Sequence, residues 1–351
     1  MSVPDVEGVI TADEVRATAD AIAALQLPSG MIPWFTNGHC DPWNHVETAM
    51  ALDVAGRHDR AAAAYRWLAD VQRRDGSWHN YYLGERVEDA KLDTNVCAYV
   101  ATGVWHHWLS TGDLAHAERL WPTVAKAIDW VLHLQTPRGE VIWAREVDRR
   151  PWSYALLTGS SSIAHSLECA VALAELLGEH RPDWELCLVN LTEVIRTEPE
   201  AFADKRRWAM DWYYPVLGGV LRGQVARDHL AGGWDTFVMS NHGVRCVSDE
   251  PWVTAAETAE CALAHVAAGR TEAAADLLRS TRAHRCPDGA YLTGLVYPQQ
   301  AAFPDKERTA YTGAAVILAA DALSGATPAT GLFLPAPALA DDPEMTGPTG
   351  D

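Results

Sequence analysis

The chain has 351 residues, 48% of them hydrophobic, enough for a large core without metal or disulfide staples. Its 28 basic against 47 acidic side chains leave a formal charge of −19, which excludes general electrostatic binding to a nucleic-acid backbone or an anionic membrane surface. No apolar run reaches the ~18 residues of a membrane span, and the opening residues do not read as a secretory leader. The seven cysteines are odd in number and scattered, unlike a disulfide framework or zinc ribbon, so the expected compartment is the cytoplasm.

Apolar residues recurring at three and four predict helices over 11–25, 43–56, 58–73, 94–110, 113–134, 160–178, 183–197, 210–228, 251–268, 270–283 and 308–324. Thr11, Asp41, Asp93 and Thr111 stand near starts, where N-caps belong. No run alternates convincingly enough for a sheet; 233–247 reads as a short helix or a hairpin. Connections are alternately tight (55–59, 110–113, 268–271) and long (26–42, 74–92, 135–159, 284–307).

The long connections open alike. Gln26 precedes Gly30 and Trp34, Gln72 precedes Gly76 and Trp78, and Gln135 precedes Gly139 and Trp143. Arg285, Gly289 and Tyr291 form a fourth copy. A glycine that turns the chain after each helix, followed by an aromatic, marks a helical-hairpin repeat. Pro42-Trp43 before Glu47-Thr48-Ala49 and Pro251-Trp252 before Glu257-Thr258-Ala259 open two similar Ala-rich helices, suited to a crowded inner ring. About twelve alternating helices close into an all-α (α/α)6 toroid of six helical hairpins. The expected boundaries are 1–325 for one toroid domain and 326–351 for a Pro-, Ala- and Gly-rich, loosely attached tail.

Such a ring has a funnel where the long loops meet. Acids and aromatics gather there, among fifteen tryptophans in all. Asp41, Trp43, Glu47, Asp93, Trp143, Trp152, Tyr213, Trp252, Glu257 and Tyr311 are the expected substrate-binding residues, with rings for sugar faces and carboxylates for hydroxyls. An aspartate at a helix start also reads as a plain cap, which applies to Asp41 and Asp93. Glu47 and Glu257 lie one turn inside their helices, where an unpaired buried acid is expensive. His39, Cys40, Asp41 and His45, like His242 with Cys246, match no standard metal spacing. No glycine-rich phosphate cradle occurs, so no metal and no cofactor is expected.

The stretch from Asp93-Thr94-Asn95 through Tyr99, Trp105, Thr111-Gly112-Asp113, Leu120-Trp121-Pro122 and Ile128-Asp129-Trp130 to Gly139 and Trp143 resembles bacterial glucoamylase-type enzymes. These belong to the six-hairpin glycosidase-like superfamily, and the wider likeness covers about 11–325. The resemblance implies glycoside hydrolysis by paired carboxylates, on an α-linked sugar in a small-molecule or oligosaccharide substrate. It places the acid at Glu146, with Asp148 as a near substitute, and leaves Glu250 or Glu307 for the base. A separation of about 6.5–9.5 Å between acid and base would imply inversion. The Gln-x-x-x-Gly repeats also resemble prenyltransferase and squalene cyclase-like toroids. That alternative expects an apolar funnel with arginines at its mouth or a metal below. A non-catalytic sugar-binding toroid is the third reading, and oligomeric state stays open.

Overall fold

The computed structural model describes residues 2–334. Thirteen α-helices are described: α1 (Ala12–Leu25), α2 (Pro42–Val54), α3 (His58–Val71), α4 (Thr94–Ala98), α5 (Val100–Thr111), α6 (Leu114–Leu132), α7 (Leu157–Leu176), α8 (Pro182–Thr197), α9 (Ala209–Leu217), α10 (Gly223–Phe237), α11 (Ala255–Ala267), α12 (Thr271–Ser280) and α13 (Ala310–Ser324). α4 and α5 are one helix interrupted at Tyr99, so twelve rods alternate between an outer and an inner ring. The inner rods are α2, α4–α5, α7, α9, α11 and α13. Successive inner rods pack on one another, and α13 packs on both α11 and α2, which closes the ring. The fold is the expected (α/α)6 toroid.

Composition separates the rings. Inner helices bury more than one face, and α7, α11 and α13 are rich in small residues; α13 buries eleven of its fifteen positions. Outer helices bury one face only. α12 buries Ala274, Leu277 and Leu278 and exposes its charged side.

The repeated Gln-x-x-x-Gly segments turn out to clamp neighbouring outer helices. Gln72 Nε2 donates to Gly76 O at 2.9 Å and to Thr123 O of α6 at 2.8 Å. Gln26 bridges to Arg60 O of α3, and Gln135 to Cys187 O of α8, in the same way. Gly76 sits at φ +93°, and a Cβ there would lie 2.2 Å from Lys126 O, so only glycine allows the approach. The fourth copy closes the outer ring: Gly289 packs on Ala17 of α1 and its carbonyl accepts from Thr18 Oγ1 at 2.9 Å. The chain between α8 and α9, residues 198–208, carries no copy.

Two expectations change. The single helix over 210–228 is α9 and α10, because the chain turns at Gly218-Gly219, the latter at φ +73°. The loops also hold short strands: β1 (Tyr81–Leu83), β2 (Arg86–Asp89), β3 (Leu92–Asp93), β4 (Ala144–Arg145), β5 (Val238–Met239), β6 (Gly243–Val244), β7 (Trp252–Thr254), β8 (Gly294–Val296) and β9 (Ala301–Ala302). Two to four residues are too few to leave an alternating pattern. The 233–247 segment ends α10 and forms the β5–β6 hairpin. β7, at the start of the helix expected over 251–268, pairs instead with β8. Residues 335–351 of the expected tail lie outside the described residues. Among the described residues no helix is long and apolar enough to cross a membrane.

Candidate active site

All six inner rods point their N-termini to one end, where the long loops surround a cavity of about 370 Å³. Carboxylates reach it from three of those rods.

Asp41 caps α2, its Oδ1 accepting from Asn44 N at 2.9 Å. Its Oδ2 takes Asn44 Nδ2 and Trp34 Nε1, each at 2.7 Å. Burial raises its pKa against the pull of these donors. The β3–β4 pairing, with Asp93 opposite Ala144, carries Trp143 to the same wall. Asp93 Oδ1 caps α4 through Asn95 N and Val96 N, at 3.0 and 3.2 Å. Its pKa is pushed up to about 6 by burial, against the Lys91 ammonium, those amides and the Trp143 indole. Lys91 Nζ stands 4.1 Å from the centre of a Trp143 ring.

Glu257 approaches from α11, on the far side of the inner ring from α4, and accepts from Cys246 Sγ at 3.2 Å. One turn on, Glu260 accepts from the Tyr213 and Tyr214 hydroxyls. Burial pushes it up to about 8; Tyr213 and Tyr214 pull it down and the Glu257 charge pushes it up. Glu47 lies below, with Glu260, in a small pocket closed by Trp43, Tyr99 and His165. Burial and the charges of Glu260, Asp41 and Glu257 hold its carboxyl well above the ordinary range. Asp41, Glu47, Asp93 and Glu260 are therefore buried acids with few cations beside them, which costs stability and favours their protonated forms.

Of the residues expected from the sequence, Asp41, Trp43, Asp93, Trp143, Trp252, Glu257 and Tyr311 line the cavity together. Glu47 lies beneath it, and Tyr213 stands behind Glu260. Trp152 packs edge-on against Trp143, with centroids 4.6 Å apart, and donates to Glu146 Oε1 at 3.0 Å. Neither Trp152 nor Glu146 lines the cavity. Glu250 is exposed in the turn before β7. Glu307 lines a separate surface cavity beside Asp288 and Arg308, though its Oε1 accepts from Thr293 Oγ1, and Thr293 faces the central cavity.

Sequence reasoning passed over Lys91, Tyr81, Met210 and Glu260, which also line the cavity. Glu260 carried a usable signal, standing three residues after Glu257 on one helix face. Lys91 carried none, because its role depends on the β3–β4 pairing. His45, part of the cysteine–histidine cluster noted above, turns away into the core, bonded to Ile32 N and Ala64 O. Four wall or floor carboxylates stand where the isoprenoid alternative calls for an apolar funnel.

No family model matches the chain. It is similar to a wild-type glycosidase structure, with 16% identity, a TM-score of 0.71, and coverage of 92% of this chain and 97% of that one. It is also similar to a GH63 mannosylglycerate hydrolase from Thermus thermophilus in complex with glucose, with 13% identity, a TM-score of 0.66, and coverage of 87% and 99%. At such identities the likeness is one of fold. The MMP endo-(1,4)-3-O-methyl-alpha-D-mannosidase of Mycolicibacterium hassiacum is 53% identical over 332 residues, 95% of this chain and 92% of that protein. With that identity over nearly the full length of both, on a ring whose acids converge at one mouth, this chain belongs to the family of that mannosidase and is a carbohydrate-active hydrolase of six-hairpin glycosidase fold.

Proposed function

We propose that this enzyme hydrolyses an α-(1→4)-mannosidic bond inside an oligosaccharide that carries 3-O-methyl groups, with Asp93 as general acid and Glu257 as general base. The observation that carries this reading is that the two carboxyls enter one aromatic-lined cavity from opposite arcs of the inner ring. Asp93, with its pKa near 6, keeps a proton that a solvent-exposed aspartate would have lost. It gives that proton to the glycosidic oxygen as the bond to the anomeric carbon breaks. Lys91 then steadies the carboxylate left behind. On the other face of the sugar, Glu257 takes a proton from the water whose oxygen bonds to the anomeric carbon, so the product anomer is inverted. Asp41, already oriented by three donors, is placed to accept from a sugar hydroxyl.

Methyl ethers donate no hydrogen bond and lose little on leaving water, so they suit walls made of Trp34, Trp43, Trp143, Met210 and Trp252. Glu146 positions Trp152 against Trp143 and touches no reacting atom.

The test is to incubate the protein with α-(1→4)-linked 3-O-methylmannose oligosaccharides, unmethylated α-mannan oligosaccharides and α-(1→4)-glucans. Products are followed by chromatography and the first-formed anomer by proton NMR. Internal cleavage of the methylated chain with a β-configured first product is expected. No cleavage, or a preference for glucan, would sink the reading. Asp93→Asn and Glu257→Gln are expected to lower turnover by about 10²- to 10⁴-fold, while Glu146→Gln keeps most of it; the reverse pattern would move the acid to Glu146.

A further inference from the structure

A second cavity, of about 830 Å³, opens between the 199–206 loop and α10. It lies at one of the two long connections, 198–208 and 238–254, that carry no copy of the clamp: Gln26, Gln72 and Gln135 draw their loops onto the next outer helix, but nothing of the kind ties 198–208 to α10. The floor is the Trp212 indole stacked on Phe237, with centroids 5.4 Å apart and planes 13° from parallel. Phe202 adds an apolar side, and Asp228 and Lys205 stand at the rim. The aromatic floor lies under a charged rim, in a cavity of more than twice the central one's volume.

Residues adjacent in the chain line the two cavities. Thr158 faces the central cavity while its neighbour Leu157 faces the outer one. Met210 faces the centre while Asp211 faces outward. Thr158 Oγ1 donates to Asp211 Oδ1 at 2.6 Å, which fixes the ridge between them.

We propose that the outer cavity is a second glycan subsite. It holds the part of a methylated mannose chain that leaves the central cavity over the Leu157–Thr158 ridge. This rests on the endo-mannosidase reading. An enzyme that cuts within a chain must seat sugar on both sides of the bond, and about 370 Å³ of central cavity is too little for a long one.

Gly232 supplies the test. It lines the outer cavity with helical backbone, and a Cβ there meets nothing within 4 Å. A side chain at this position starts free of clash, and Gly232→Trp is the change chosen to occupy the cavity. Wild type and G232W would be compared on methylated mannose oligosaccharides of two lengths, one filling the central cavity alone and one several units longer. The expected result is a rise in KM about tenfold larger on the long chain than on the short one, as for losing a stacked ring contact. Equal changes on both lengths would overturn the second subsite and leave the mannosidase reading standing. A wild type that cleaves neither length overturns both. Should G232W fail to fold, the double change Asp228→Ala with Lys205→Ala, at exposed rim positions, is judged by the same length comparison.

Discussion

Asp93 and Asp53 are both buried aspartates, yet their environments push them in opposite directions. Asp93, at the mouth, is driven up to about 6 by burial. Asp53 lies at the other end of the ring, where α2 and α5 finish. Burial raises its pKa too, but His107 and His58, each with Nδ1 2.9 Å from a carboxylate oxygen, reverse the balance and hold it below the ordinary value. Burial sets the cost of the charge, and the partner decides whether that cost is met. The far end pairs its acid and so stabilises the ring. The mouth gives its acids few cationic partners, at a cost in stability.

That contrast can be broken by substitution. The largest effects are expected at the mouth. Asp93→Asn and Glu257→Gln should each lower kcat/KM by about 10²- to 10⁴-fold. Asp93→Asn should leave the melting temperature equal or higher, since asparagine still caps α4 and the buried charge is gone. A marked fall in melting temperature would make Asp93 a structural group instead. At the other end Asp53→Ala should cost about 3–5 kcal/mol of stability, because buried histidines lose their partner. Activity per folded molecule should be kept. Full stability in denaturant titration would show that the histidine cluster does not hold the ring.

The pH dependence sharpens the same comparison. A raised acid binds more protons folded than unfolded, so Asp93 lowers stability as pH climbs from its unfolded value through about 6. Asp53 has the opposite sign: its contribution is present above the unfolded value and is lost as pH falls through its lower folded value. In kcat/KM, loss of the Asp93 proton should give an alkaline limb with a midpoint near 6. A wild-type profile flat from pH 5 to 7 would contradict the assignment. The smallest effect concerns the clamps: Gln72→Ala should cost about 1–3 kcal/mol by leaving the Gly76 and Thr123 carbonyls short of a donor. Calorimetry showing no change would mean the glutamine repeat marks the turns without holding them.

The ring was legible because its signals are local. Helical periodicity, caps such as Thr11 with Glu14, and the Gln-x-x-x-Gly copies each sit within a few residues. The glycines that turn those segments need positive φ and close approach, constraints a sequence displays directly. Seven of the residues expected at the funnel line one candidate cavity. What could not be read was which acid faces inward. Glu146 and Glu257 both stand near tryptophans in a rich stretch of chain, yet only Glu257 reaches the cavity.

The Asp53 cluster was equally hidden, since His58, His106 and His107 come from two further helices. The break at 218–219 and the outer cavity appear only once the helices are assembled. The sequence alone determined the helices, their alternation and the acidic, tryptophan-rich character of the mouth, because these follow from neighbours along the chain. Only the tertiary structure decided which carboxyls meet, which are paired and which stay unpaired, because burial and charge partnership depend on residues that are distant in sequence and close in space.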